Sequence, residues 1–275
     1  MDERPIGIFD SGLGGLTAAE ELRRLMPFED IIYIGDSHNM PYGEKTPEQI
    51  VSMSRNNLRF LLEHDVKAVF IACGTATTNA LDILRKECPV PVFGVVEPAV
   101  REAVKTTENG RVGILATRAS VASGEYQRLL KKLSPELFVT ANACPKFAGM
   151  VEEGIFDRHD ERVLIAAGEY LPPLKAAKVD TIILGCTHYP LLADVIRDFM
   201  GEVKLISSGA AAARSLCALL VEKGMAREGA KGETLFFTTG EARGFSEKAG
   251  LMLGRDISEK LRKIQPLSFD RGGKI

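Results

Sequence analysis

The chain has 275 residues, of which 26% are charged, with 35 basic against 37 acidic side chains and a net charge of −2. That balance, without a basic stripe, argues against nucleic acid or an anionic membrane as a partner, and the longest apolar runs are too short to span a bilayer. The five cysteines, Cys73, Cys88, Cys144, Cys186 and Cys217, are an odd number without the dense spacing of a disulfide framework, so reduced thiols in a soluble, cytoplasmic protein are expected.

Asp2, Glu3 and Arg4 lead into a strand-like stretch rather than a signal-peptide core. Residues 5–9, PIGIF, read as a first buried strand with Asp10 at its carboxyl end, and Ser11 to Gly15 turn into a helix reaching about Met26. The three-glycine dinucleotide pattern and the Lys-Ser/Thr ending of a P-loop are both missing. The glycines suit close backbone approach to a small ligand, with amides at a helix start facing an anion such as a carboxylate. Asp10 beside such a turn would repel a carboxylate unless it met the ligand's cationic end, which points to a zwitterion.

A second strand, DIIYIGDS, ends at Asp36 and Ser37. The turn after it, with Met40, Pro41, Tyr42 and Gly43, is either a rigid pocket wall or an ordinary surface turn. Thr46 and Pro47 read as the N-cap and first turn of a helix to His64. A strand then ends at Cys73, a helix is expected over 77–88, and the short strand VPVFGVV ends at Glu97 and Pro98.

From Pro98 the pattern restarts with a helix to Lys105, the strand RVGILAT, a helix over 124–132 and the strand LFVTANA, which leads to Cys144 and Pro145. The loop beyond carries Glu152 and Glu153, a pair that spacing alone reads as solvated. Residues 160–178 read as a helix broken at Pro172 and Pro173. Ile182 to Leu184 form a buried strand, and Gly185 clears space for Cys186, Thr187 and His188 at its carboxyl end. The strand VKLIS, a small-residue helix containing Cys217, and a final strand and helix follow. Residues 270–275 read as loose.

The two halves repeat. VKAVFIACGTATTN from Val66 and VDTIILGCTHYPLL from Val179 align at an offset of 113 residues, which also sets Glu48, Ile50, Leu58 and Leu61 on Glu161, Val163, Leu171 and Leu174. Each half ends a hydrophobic run in one cysteine, at the strand end where open parallel sheets keep their ligands. The expected fold is α/β, with two similar domains of mainly parallel sheet flanked by helices and the active site in the cleft between them. Residues 1–97 with 208–275 are assigned to the first domain and 98–207 to the second.

A Cys-x-His pair with one isolated cysteine lacks the paired ligand clusters of structural zinc. A lone nucleophile would leave the twin cysteine idle. An acid–base pair uses both: a thiolate on one face of a carbon acid removes a proton while a thiol on the other face supplies one, inverting the centre. A free thiol has a pKa of roughly 8.5, so neighbours must tune it. His188 is the candidate beside Cys186, and Asp10 is the candidate beside Cys73.

Together, DSGLGGL at 10–16, PYGEKT at 41–46, ACGTAT at 72–77, ACP with VEEG at 143–154 and GCTHYPLL at 185–192 resemble glutamate racemase over nearly the whole chain. The resemblance implies a cofactor-independent racemase, possessing neither metal nor prosthetic group, that interconverts L- and D-glutamate for peptidoglycan, and it makes a homodimer a reasonable expectation. It assigns Cys73 and Cys186 as the acid–base catalysts, with Asp10, Glu152 and His188 assisting. It also places Asp10, Ser11, Pro41, Tyr42, Gly43, Thr75, Thr187 and His188 against the substrate, with Gly74 offering only its backbone N–H.

Two positions depart from that family pattern. Gly74 stands where asparagine is usual, and Ser207 stands where an aspartate is expected. The competing readings are a racemase of another amino acid, a related carbon-acid enzyme such as a decarboxylase, and a non-catalytic amino-acid-binding protein. Retention of Cys73, Cys186 and His188 favours racemisation.

Overall fold

The computed structural model describes residues 2–266; the loose tail expected over 270–275 lies outside the described residues. The first half runs β1 (Ile6–Asp10), α1 (Gly15–Leu25), β2 (Ile31–Gly35), a 3-10 turn (Tyr42–Glu44), α2 (Pro47–Glu63), β3 (Ala68–Ile71), α3 (Gly74–Glu87), β4 (Val92–Gly94) and α4 (Val96–Thr106). The chain continues through β5 (Arg111–Ala116), α5 (Arg118–Ser123), α6 (Glu125–Leu133), β6 (Phe138–Ala143), α7 (Pro145–Glu152), α8 (Glu161–Tyr170) and α9 (Pro172–Ala176). Then come β7 (Thr181–Leu184), a 3-10 turn (Tyr189–Leu192), α10 (Ala193–Met200), β8 (Lys204–Ser207), α11 (Ser208–Glu222), β9 (Thr234–Thr238), α12 (Ala242–Leu253) and β10 (Leu261–Lys263).

These strands form two wholly parallel sheets, one ordered β10-β9-β2-β1-β3-β4 and the other β6-β5-β7-β8. Without β10 and β9 on one side, the first reads 2-1-3-4, and the second reads the same with every strand advanced by four. Cys73 and Cys186 follow equivalent strands, β3 and β7. The architecture is α/β, two parallel sheets flanked by helices.

The inner strands β1, β2, β3 and β7 are covered on both faces, so they are buried and almost wholly apolar. Alternate side chains supply two different cores. Ile6 and Ile8 of β1, with Val112 and Ile114 of β5, enter a shared core with Val96, Ala99 and Val100 of α4 and the alanines Ala211 to Ala213 of α11. Phe9, Val69 and Ile71 face α2 and α3 on the outer side of the first sheet, while Leu115, Ile182 and Leu184 face α8 to α10 on the outer side of the second. At the amino ends of the first sheet, the fully buried ion pair Lys67–Glu29 (2.6 Å) ties the returning chain down: Lys67 donates to the Met225 carbonyl (2.9 Å), and Glu29 accepts the Arg227 N–H (2.8 Å). A charge removed from water this completely needs such a partner.

The elements differ from the sequence reading at β10, an edge strand that was not expected, and in four further places with a local cause. Helix α3 starts at Gly74 rather than Thr77, because the Cys73 thiol caps it by accepting the Ala76 N–H (3.4 Å), a task usually done by Ser, Thr, Asp or Asn. Glu97 and Pro98 lie inside the first turn of α4, where proline's missing N–H costs nothing. For the same reason Pro145 opens a helix, α7, where a loop was expected. Helix α5 was not anticipated; its N-cap is Thr117, whose Oγ1 accepts the Ser120 N–H (3.3 Å).

Candidate active site

The carboxyl ends of the two sheets meet, and the contact is made by loops with almost no side-chain bulk. A Cβ added at Gly74 would overlap the Gly185 carbonyl oxygen, and one at Gly14 would overlap Thr187 and His188. Gly74 lets backbone touch backbone across the cleft, and Gly14 leaves room for the Thr187 and His188 side chains. Thr17 Oγ1 donates to the Thr187 carbonyl (3.1 Å), and the Thr75 and Thr117 hydroxyls share a hydrogen bond of 2.9 Å. Gly74 thus lies beside Cys73, Gly185 beside Cys186, and the two pairs are pressed together.

Cys73 is held at the N-terminus of α3. Its sulfur accepts the Ala76 N–H, and its thiol donates to Ser11 Oγ (3.5 Å). Burial pushes this thiol up to about 12, and the charge of Asp10 adds to the push; the Ala76 N–H and Ser11 oppose it. The expectation that Asp10 would help ionise Cys73 is therefore corrected: β1 does neighbour β3, but a carboxylate next to a thiol disfavours the thiolate. Asp10 is itself fully buried, accepts the Gly12 N–H (2.9 Å) and faces Thr187 Oγ1 (3.5 Å). Burial raises its own pKa, while His188 and the Gly12 and Gly15 N–H groups pull it back.

Around Cys186 the arrangement is different. Its sulfur is 3.4 Å from His188 Nδ1, and His188 Nε2 is 3.0 Å from Glu152 Oε1 at the end of α7. Burial works against a charge on His188, yet the sulfur and the carboxylate outweigh it and hold its pKa well above the ordinary imidazole value. The result is a three-member relay, Cys186–His188–Glu152, with Glu152 at its solvent end (13% exposed). Spacing alone had read Glu152 as solvated, because nothing in VEEG signals that α7 aims it at a histidine 36 positions away.

Pro41 and Gly43 line a cavity of about 270 Å³ together with Thr117 and Glu152. Tyr42 is different: it is buried, its hydroxyl donates to Asp36 (2.5 Å) and accepts from Asn57 (3.0 Å), so only its backbone is left to face the cleft. Sequence reasoning missed Asp36 as the anchor of this turn. It also accepts from Asn39 (3.0 Å) and Thr239 (2.7 Å); its place directly after β2, one residue beyond the Gly35 that pairs with Asp10, was the available signal. Thr117, the partner of Thr75, was likewise missed.

Cys144 is buried at the end of β6, but its thiol only reaches the Asn142 carbonyl (3.7 Å), and burial together with the charge of Cys186 pushes its pKa far up. Ser207 caps α11 by accepting the Ala210 N–H (3.3 Å), the same service an aspartate would give. Among the described residues no cluster of three or more His, Cys, Asp or Glu could hold a metal ion, and no helix is long and apolar enough to cross a membrane.

Comparison with known proteins shows the family. The family model described as Asp/Glu/Hydantoin racemase matches residues 17–216. The glutamate racemase of Lactococcus lactis subsp. lactis is 43% identical over 272 residues, covering 98% of this chain and 96% of the relative. Among solved structures, a glutamate racemase isoform of Bacillus anthracis superposes with a TM-score of 0.93 at 36% identity, covering 98% of this chain and 100% of that one. The glutamate racemase of Francisella tularensis subsp. tularensis, solved in complex with D-glutamate, gives 0.91 at 33% identity, again over 98% and 100% of the two chains. The chain belongs to the Asp/Glu/Hydantoin racemase family and, within it, to the glutamate racemases, which are isomerases.

Proposed function

We propose that the chain interconverts L- and D-glutamate without a cofactor, by proton transfer between the α-carbon and two thiols, Cys73 on one face and Cys186 on the other. The observation that carries this reading is the pairing of two cysteines on equivalent strands of two repeated sheets, pressed together at Gly74 and Gly185. With Cys186 as the thiolate, paired to the His188 imidazolium, the α-proton moves to sulfur, and the neutral Cys73 thiol delivers a proton to the opposite face. The reverse reaction starts with Cys73 ionised. Its raised pKa makes that state costly in the empty enzyme, and the substrate ammonium, drawn in by buried Asp10, supplies the missing positive charge.

Ser11, Thr75, Thr187 and the backbone of Pro41, Tyr42, Gly43 and Gly74 hold the amino acid in this reading. Residues 1–97 with 208–275 and residues 98–207 act as the two domains that close on it. The product would serve peptidoglycan synthesis in the cytoplasm, and the assembly would be a homodimer, a point that light scattering tests directly.

The test is incubation of the purified protein with L-glutamate in deuterated water and no added cofactor, following optical rotation and deuterium at the α-carbon. Loss of rotation with deuterium uptake is expected. A second reading, a racemase of another amino acid, is favoured only by Gly74, which brings no side chain to the ligand. Aspartate and other amino acids run alongside decide it.

A further inference from the structure

The cavity beside Glu152 has a charge pattern that the thiol chemistry does not use. It is walled by the Pro41–Gly43 turn on one side and by Thr117, Arg118 and α7 on the other, and it shares Glu44, Arg118 and Pro145 with an outer cavity of about 490 Å³. Two carboxylates, Glu44 and Glu152, line the inner cavity, and Arg118 is its single cation. In the outer cavity Lys146 is already occupied, with its Nζ 2.7 Å from both oxygens of Glu169. Arg118 makes no ion pair among the described residues. Its base is fixed, because Thr117 before it is tied to Thr75 and Ser120, while its side chain reaches into solvent at the rim.

An amino dicarboxylate carries a net negative charge and would pass two carboxylates on its way to the thiols. We propose that Arg118 is the capture residue for that substrate: its guanidinium takes one carboxylate of the incoming amino acid at the rim and offsets Glu44 and Glu152 as the ligand moves inward. A planar guanidinium can meet a carboxylate with two parallel N–H bonds, and a charge at a cleft mouth acts on association more than on chemistry. The proposal rests on the racemase reading and adds a specificity device to it, since an amino acid with no net charge is drawn to Arg118 less strongly than an amino dicarboxylate.

The experiment measures kcat and KM for L-glutamate in wild type, Arg118→Lys, Arg118→Ala and Arg118→Glu over a range of ionic strength. Arg118→Ala should raise KM by about three- to tenfold and Arg118→Glu by more, with kcat within about twofold of wild type. Arg118→Lys, which keeps the charge but not the paired N–H bonds, should fall between wild type and Arg118→Ala. The fall of kcat/KM with added salt should flatten in Arg118→Ala and reverse in Arg118→Glu, a response that a merely structural role would not produce. Unchanged KM in both Ala and Glu variants, or a loss confined to kcat, overturns the proposal while leaving the racemase reading intact. A wild type that exchanges no α-hydrogen with glutamate overturns both.

Discussion

Cys73 caps a long helix, whereas Cys186 leads into a 3-10 turn. The first sulfur meets a backbone N–H, a serine hydroxyl and, close by, a buried carboxylate; the second meets an imidazole whose charged form is favoured, backed by a glutamate. The sheet repeat places the two thiols equivalently, but the residues after each strand polarise them differently. Mirror-image chemistry needs catalysts on both faces of the carbon, and it does not need them to be tuned by the same means. The side with the relay carries its own positive charge, while the Cys73 side, pushed to about 12 when empty, depends on charge brought by the ligand.

The sharpest way to break this comparison is to remove either sulfur. Cys73→Ala and Cys186→Ala should each lower racemisation by about a thousandfold or more, as expected when a positioned acid or base is lost. Polarimetry measures it, and a variant that still turns over both enantiomers at near wild-type rate removes the two-thiol mechanism. Each variant should retain slow α-hydrogen exchange with one enantiomer only, and with opposite preference.

The contact between the halves comes next in size. Gly74→Ala puts a Cβ on the Gly185 carbonyl and must separate the two cysteine loops. Because a displacement near 1 Å costs on the order of a hundredfold when reacting groups are prealigned, kcat should fall by roughly ten- to a hundredfold in both directions. Circular dichroism reports whether the variant is folded; a folded variant with wild-type kcat would show that this contact does not set the gap between the thiols.

Much of this could be read in the chain itself, because the repeat is written in apolar runs of fixed spacing. Ile182 to Leu184 and the run ending at Ala72 announce buried strands, and their common ending in cysteine locates the cleft. What escaped reading depends on three-dimensional register. No local pattern says that Glu152 reaches His188, that the Tyr42 hydroxyl turns inward to Asp36, or that Thr117 meets Thr75 across the halves. The sign of the Asp10 effect, by contrast, was open to reading, since a carboxylate that the adjacency of β1 and β3 brings beside a thiol disfavours the thiolate.

The relay gives a pH-dependent test of the Cys186 side. His188 has a raised pKa in the folded protein, so its charge is complete below the ordinary imidazole value and is lost only as pH rises through the raised one. Glu152 is one of the groups that raise it. Glu152→Gln should therefore lower kcat by about tenfold and move the alkaline limb of the kcat profile to lower pH. An unmoved limb would detach Glu152 from the histidine's charge.

The smallest effect should come from Ser11, which of the two thiols touches only Cys73. Its hydroxyl stabilises ionised Cys73, so Ser11→Ala raises a thiol pKa that is already high. One hydrogen bond of this kind contributes about 1 kcal/mol, so a loss of roughly three- to tenfold is expected. The equilibrium constant between enantiomers is one by symmetry, which forces kcat/KM to fall equally in both directions. The asymmetry must appear elsewhere. With substrate deuterated at the α-carbon, the isotope effect should grow for the enantiomer that Cys73 deprotonates, because that step has become slower relative to the others, and stay constant for its mirror image. An equal change for both enantiomers would mean that Ser11 acts only through the ligand it holds and not through the sulfur.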